Sequence, residues 1–138
     1  MRQATRILDV PTPAQGLHEI TAEVVAWVNE QEMTTGLLTL FCRHTSCSLL
    51  IQENADRNVR ADLQDWVAQV APESRAYRHQ DEGPDDMPAH LRAALTGVQL
   101  SIPLIERRLA LGTWQGIYLF EHRRRPHRRE VALHLMGV

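Results

Sequence analysis

The sequence predicts an α+β fold: one domain over residues 1–138, with a mainly antiparallel β core, two longer helices and one short helix. Three observations predict it. Apolar runs of strand length recur along the chain, bounded by Pro, Gly and polar breaks. Two stretches instead space their apolar residues as one helical face, yet strands and helices do not alternate as a βαβ series would. The chain has 138 residues, 43% hydrophobic and 23% charged, which is one domain's worth of core and excludes the disordered and fibrous classes.

In order along the chain, TRILDV at 5–10 suits an edge strand ended by Pro11 and Pro13. Gly16 to Ile20 suits a second short strand. Thr21 suits the N-cap of a helix over 22–31, whose Val24, Val25, Trp27 and Val28 share a face. GLLTLFC at 36–42 and CSLLI at 47–51 suit two buried strands around the polar break Arg43-His44-Thr45-Ser46. Asp56 suits the cap of a helix over 57–70, striped by Val59, Leu63, Trp66, Val67 and Val70 and closed by Pro72. Residues 73–87 are poor in apolar side chains and are expected to be a loop. Pro88 suits the first position of a short helix, 88–95, ended near Gly97. Strands are expected at Val98–Pro103, Thr113–Glu121 and Glu130–Met136. The last two flank an arginine-rich connection containing Pro126, which suggests a hairpin with a solvated tip.

Charge and composition narrow the function. All 15 basic residues are arginine against 17 acidic ones, for a net charge of −2. Without lysine there is no Schiff-base chemistry and no Walker-type phosphate lysine. The balance gives no global pull toward nucleic acid. No apolar run approaches the ~18 residues of a membrane span, and no secretory signal follows Met1. The expectation is a reduced, cytoplasmic protein with no membrane or nucleic-acid partner. Cys42 and Cys47 then read as small core residues.

Three constellations could carry chemistry. The densest is His79-Gln-Asp81-Glu82-Gly83-Pro84-Asp85-Asp86-Met87-Pro88-Ala-His90. His with carboxylate is a donor set that zinc, manganese or iron accepts. The same residues also suit a solvated acidic loop. The second is Glu121-His122 at the end of an apolar strand. There His122 could complete a three-histidine metal set with His79 and His90, or Glu121 and His122 could pair with the neighbouring arginines at a rim. The third is His44-Thr45-Ser46 between two apolar strands, followed by Glu53-Asn54. A histidine beside hydroxyls can serve as a general base or contact phosphate, and the same residues can simply form a turn. In the arginine run, the functional use that suits the residues is phosphate or pyrophosphate binding. His18, His127 and His134 read as surface or core residues.

Four stretches, taken together, resemble the YjbQ-like family, whose members are often called secondary thiamine-phosphate synthases. They are G36-L-L-T-L with H44-T-S-C-S-L, Q52-E-N-A-D56, the loop Y77-R-H-Q-D-E-G-P-D-D-M-P-A-H90, and G112-T-W-Q-G-I-Y-L-F-E-H-R123. Neither Cys42 nor Cys47, the latter within H44-T-S-C-S-L, is among the residue types that carry the resemblance. The resemblance implies a compact α+β fold whose antiparallel strands form a sandwich-like core, a homotrimer with pockets near the subunit contacts, and a metal-compatible site at His44, His79, His90 and His122. It implies an enzyme joining a hydroxymethylpyrimidine pyrophosphate to a thiazole phosphate, with another main substrate. On that chemistry His44, Asn54, Asp86 and Glu121 are the catalytic candidates. Thr45, Ser46, Trp114 and Arg123 are candidate contacts to a phosphorylated substrate. His79, His90 and His122 are candidate ligands for zinc or another transition metal. Mg²⁺ could arrive with the substrate on Asp81, Glu82, Asp85 or Asp86, although it prefers oxygen to imidazole. Metal-dependent hydrolysis and a non-catalytic ligand- or metal-binding trimer are the alternatives.

Overall fold

The computed structural model describes residues 1–138. The strands are β1 (Arg2–Thr12), β2 (Gly16–Glu19), β3 (Gly36–Cys42), β4 (Cys47–Glu53), β5 (Gln99–Ile105), β6 (Arg108–Leu109), β7 (Gln115–Glu121) and β8 (His127–Gly137). The helices are α1 (Thr21–Glu30), α2 (Arg57–Val70) and α3 (Asp86–Thr96). Five strands form one sheet in the order β1-β8-β3-β5-β6, and three form a second in the order β2-β7-β4. Every pairing is antiparallel, so the expected α+β class with an antiparallel core holds.

Alternation decides which side of each strand is covered. Leu38, Leu40 and Cys42 of β3, Val131, Leu133 and Leu135 of β8, and Ile102 and Leu104 of β5 are buried. They meet Cys47 and Leu49 of β4 and Ile117 and Leu119 of β7 in one core, which Val24, Trp27 and Val28 of α1 join. The five-stranded sheet therefore covers one face of the three-stranded sheet. The other face of β7, with Tyr118, Phe120 and His122, is buried too. On that side Thr96 of α3 reaches Ser48 of β4, and Arg60 of α2 reaches Tyr118. No helix is long and apolar enough to cross a membrane.

Local chemistry explains the element ends. Asp56 caps α2 by accepting from the Asn58 amide at 2.9 Å, a contact type worth ~1 kcal/mol. Gly97, at φ 94°, ends α3 in a region open to glycine. β1 is an edge strand, which is why Pro11 fits within it.

Several expectations need correction. Thr21 is the first residue of α1, not its cap; its hydroxyl accepts from the Ile117 amide and donates to Glu19. The third helix begins at Asp86 and, at 11 residues, is not shorter than the 10-residue α1. On α2 only Val67 is buried; Trp66 and Val70 are each 50% exposed. The strand 36–42 is covered on one face only. The largest correction concerns residues 122–126. β7 pairs with β2 and β4, whereas β8 pairs with β1 and β3. These residues therefore form a crossover between sheets rather than a hairpin tip. The cause lies in the flanks: β7 is covered on both faces and belongs between layers, while β8 alternates and belongs in the one-sided outer sheet.

Candidate active site

Asp86 and His90 stand four residues apart on α3, hence on one face. The loop before α3 turns at Gly83, φ 97°, and brings His79 to the same place. Asp86 Oδ2 accepts from His79 Nε2 at 2.6 Å and faces His90 Nε2 at 3.1 Å. The three ligand-type atoms lie within 4.8 Å of one another. Asp86 is only 4% exposed at its side chain, against 40% for His79 and 32% for His90. A buried carboxylate thus anchors two imidazoles that open toward solvent.

Arg123 fixes that carboxylate. Its Nη1 donates to Asp86 Oδ1 at 2.7 Å, its Nε to Asp85 Oδ2 at 3.0 Å, and its Nη2 to the Glu82 carbonyl at 3.0 Å. Burial opposes ionisation of Asp86. The His79 hydrogen bond and the charges of His90 and Arg123 outweigh it and hold the carboxyl below its usual range. Asp85 is held low in the same way: burial opposes, while the Arg124 amide and Arg123 prevail.

The histidine tautomers follow from their partners. His90 Nδ1 lies 2.8 Å from the Thr45 carbonyl. A carbonyl only accepts, so Nδ1 carries the hydrogen. Nε2 faces Asp86 Oδ2 at 3.1 Å: a protonated ring donates to that oxygen, and a neutral ring turns a lone pair to it that a bound cation would bridge. An imidazole donating its other N–H to a backbone carbonyl is the usual support of a metal-binding histidine. His44 is the reverse case. The Glu130 amide donates to His44 Nε2 at 2.7 Å, leaving Nδ1–H as a donor. Burial and the Arg129 charge lower its pKa, so the ring stays neutral.

A cavity of about 800 Å³ lies between the β3–β4 corner and α3, lined among others by Phe41, His44, Thr45, His90, Ala93 and Val98. His90 is shared by this cavity and the His79–Asp86 cluster. The structure thus brings together His44, Thr45, His79, Asp86, His90 and, behind them, Arg123.

The remaining candidates go elsewhere. His122 is not part of the ligand cluster: it is 1% exposed and its Nε2 bonds Ser48 Oγ at 2.9 Å. Burial, followed by the Arg92 charge, lowers its pKa to about 3. Glu121 is fully buried and paired with Arg129 at 2.5 Å, with the Thr12 hydroxyl on its other oxygen at 2.6 Å. That closed pairing leaves it no acid–base role. Burial alone would raise the Glu121 pKa, but Arg129, Thr12 and the Arg123 amide lower it. Ser46 Oγ is taken up by Arg129 Nη2 at 2.9 Å, so Ser46 is a structural contact. Arg123 has donors from all three nitrogens committed within the protein and positions Asp86 rather than gripping pyrophosphate. Asn54 and Trp114 meet each other, with the Asn54 amide donating to the Trp114 carbonyl at 3.0 Å. They do so beyond the Glu53–Gln115 end of the sheet, about 20 Å along the strand from the Cys47–Glu121 end. Within this subunit they do not join the site.

Asp86 was expected as a catalytic residue and a possible Mg²⁺ ligand; its joining of His79 and His90, and the Thr45 carbonyl as a support, were not foreseen. The Asp-x-x-x-His spacing of 86 and 90 is a signal for the first, once α3 is known to begin at Asp86. A backbone carbonyl leaves no sequence signal for the second.

The fold and site together define a small α+β domain with a histidine–carboxylate cluster beside an apolar cavity. The chain belongs to the family described as UPF0047 protein YjbQ-like, whose model matches residues 6–138. It is 52% identical over 137 residues to the UPF0047 protein sll1880 of Synechocystis, covering 99% of this chain and 93% of that one. It is 41% identical over 133 residues to the UPF0047 protein YjbQ of Salmonella typhimurium, with 96% of each covered. Among solved structures, the conserved hypothetical protein TT1486 of Thermus thermophilus superposes with a TM-score of 0.84 at 40% identity, covering 95% of this chain and 99% of that one. These names give the family and no activity.

Proposed function

We propose that the protein is a metal-dependent enzyme acting on a phosphorylated small molecule in the cavity between His44 and His90. The observation that carries this reading is the convergence of His79 Nε2, His90 Nε2 and Asp86 Oδ2 within 4.8 Å. His90 Nε2 faces that carboxylate with its other nitrogen already bonded to the Thr45 carbonyl. Two imidazoles and one carboxylate fit zinc, manganese or iron(II) better than Mg²⁺ and leave coordination positions free. Such a metal, when bound, would supply Lewis-acid stabilisation of charge on a phosphoryl or leaving-group oxygen. The chain's own contributions are separate. Arg123 holds Asp86 ionised and oriented. His44 offers an Nδ1–H donor to an anionic or carbonyl group. Phe41, Ala93 and Val98 exclude water from one side of the cavity.

The first reaction to test is the one the family resemblance names: joining hydroxymethylpyrimidine pyrophosphate to thiazole phosphate with release of pyrophosphate. The donor set favours a second reading, metal-dependent hydrolysis of a phosphoester. Metal analysis of purified protein, beside His79→Ala and His90→Ala variants, tests the common core. Both substrate panels, run with Zn²⁺, Mn²⁺ and a chelator, separate the two readings. Protein that takes up no transition metal in any form would sink the hydrolase reading and leave the synthase reading only with Mg²⁺ arriving on the substrate.

Ile7, Leu37, Phe41 and Met136 are exposed and lie on the outer face of the five-stranded sheet, in the rows set by Phe41–Ala132–Ile7 and Leu37–Met136. Phe41 and Ala132 also line the cavity. That continuity supports further copies of this chain as the occupants of the face, in keeping with the expected homotrimer. Sedimentation equilibrium checks it; a monomer at assay concentration would refute it. We expect the reaction in the cytoplasm, where both cysteines are thiols at rest.

A further inference from the structure

Cys42 ends β3 and Cys47 begins β4, so the two cysteines bracket the corner at which the chain leaves one sheet for the other. Both are free and buried. Their Sγ atoms nevertheless touch, 3.2 Å apart, so the side chains already point at each other. A disulfide needs about 2.05 Å, an approach of little more than 1 Å. Cys42 is also among the residues lining the cavity that holds His44 and His90; it is 2% exposed, so the cavity is the side from which a small oxidant would approach the pair.

The four residues between the cysteines hold the site's framework. The Thr45 carbonyl bonds His90 Nδ1. His44 Nε2 accepts from the Glu130 amide. The Ser46 hydroxyl and carbonyl both accept from Arg129 Nη2. A bond between residues 42 and 47 would fix both ends of this strap.

We propose that Cys42 and Cys47 form a reversible thiol–disulfide pair whose oxidation by a small hydroperoxide resets the His44–Thr45 strap beneath His90. The step balances. The Cys42 sulfur attacks the peroxide, forming an S–O bond as the O–O bond breaks, and water leaves. The Cys47 sulfur then displaces the sulfenic hydroxyl of Cys42, forming the S–S bond and releasing a second water. Two thiols are oxidised, one peroxide is reduced to two waters, and an external dithiol reverses the change by exchange. The hydrogen bond with Cys47, against burial, lowers the Cys42 thiol pKa, and the His44 amide and the Arg129 charge add to that lowering.

The proposal requires the pocket geometry and no bound metal, so its test is run on metal-free protein. Wild-type, Cys42→Ser and Cys47→Ser proteins are treated with hydrogen peroxide and then followed by thiol titration under denaturing conditions, intact mass and histidine ring NMR. The wild type is expected to lose both thiols and two hydrogens, with an internal link between 42 and 47, and to regain them with dithiothreitol. The His44 and His90 ring signals are expected to shift only in the wild type. Two thiols that persist under conditions oxidising an exposed control thiol would overturn the proposal. So would a disulfide that leaves both ring signals in place, or oxidation that proceeds only to sulfinic acid. Folding of each serine variant is checked by its circular dichroism. Should one variant fail to fold, the wild-type mass and thiol count still decide.

Discussion

Two polar clusters within this small domain use the same residue types to opposite ends. The Glu121 cluster sits between the sheets. Its carboxylate is fully buried, its oxygens are shared among Arg129, Thr12 and the Arg123 amide, and Arg129 is 5% exposed. The Asp86 cluster sits at the mouth of a cavity. Its carboxylate is equally anchored, by Arg123, but its two histidines remain 40% and 32% exposed. The difference teaches how to tell a structural ion pair from a site. In the first, every polar atom is satisfied inside the protein. In the second, the anchor is satisfied and the outward atoms are left poised for a further partner.

The largest expected effect falls on the closed cluster. Glu121→Ala leaves the Arg129 guanidinium buried without its carboxylate, and breaking a buried pair from one side costs about 3–5 kcal/mol. Urea denaturation checks this. A loss below about 1 kcal/mol would mean that water reaches Arg129 and that the cluster is open like the other.

The next effect is one of pH. His122 titrates near 3 in the folded protein against about 6.5 in the unfolded chain. Between those values the unfolded state holds the extra proton, so stability rises with pH through the window and is lost as pH falls from 6.5 toward 3. The full loss is at most about 5 kcal/mol. His44, also lowered by burial, acts in the same direction. Glu121, whose folded pKa is depressed, adds its own loss only below about 4.5. The His122→Gln protein should therefore show a flatter stability profile between pH 6.5 and 4.5 than the wild type. An unchanged slope there would place the titration on another group.

How much of this was legible in the sequence depends on the range of the signal. The helix capped by Asp56, the strand at 36–42 and the stop at Gly97 rest on local patterns and were readable. So was the pairing of His79 and His90 with the acidic residues, because all lie within twelve positions. The destination of the arginine run was not. Arg123 and Arg129 are buried because β7 and β8 belong to different sheets, and sheet membership is set by partners about 100 residues away, such as Thr12 and Ser46. For the same reason His122 looked like a third ligand. A strand end near two histidines in a list of motifs is not near them in space, and adjacent residues of a strand face opposite sides. Glu121 therefore turns to the inter-sheet core while His122 turns toward Ser48 and α3.

A third prediction probes the link between the clusters, since the Arg123 amide donates to Glu121 Oε2 at 3.1 Å while its side chain holds Asp86. Arg123→Lys keeps the charge but loses the fork that spans Asp85 and Asp86. Removing such support from a metal ligand typically weakens binding 10–100-fold, or about 1.4–2.7 kcal/mol. Titration calorimetry with Zn²⁺ and Mn²⁺ reads the change. Unaltered affinity would show that the His79, Asp86 and His90 geometry does not depend on Arg123.

The smallest effect on folding is expected at the histidines themselves, and it discriminates most sharply between the two clusters. His79 and His90 are half-exposed, and Asp86 keeps Arg123 when either is removed. His79→Ala and His90→Ala should therefore each change stability by no more than about 1 kcal/mol while transition-metal uptake falls to background. His90→Ala also frees the Thr45 carbonyl to solvent, which is cheap at an exposed corner because water replaces the lost donor. Elemental analysis and urea denaturation of the same samples check both halves. If either substitution destabilises the fold as Glu121→Ala does, the Asp86 cluster is a second structural knot. If both leave stability and metal content untouched, the outward imidazoles hold no metal.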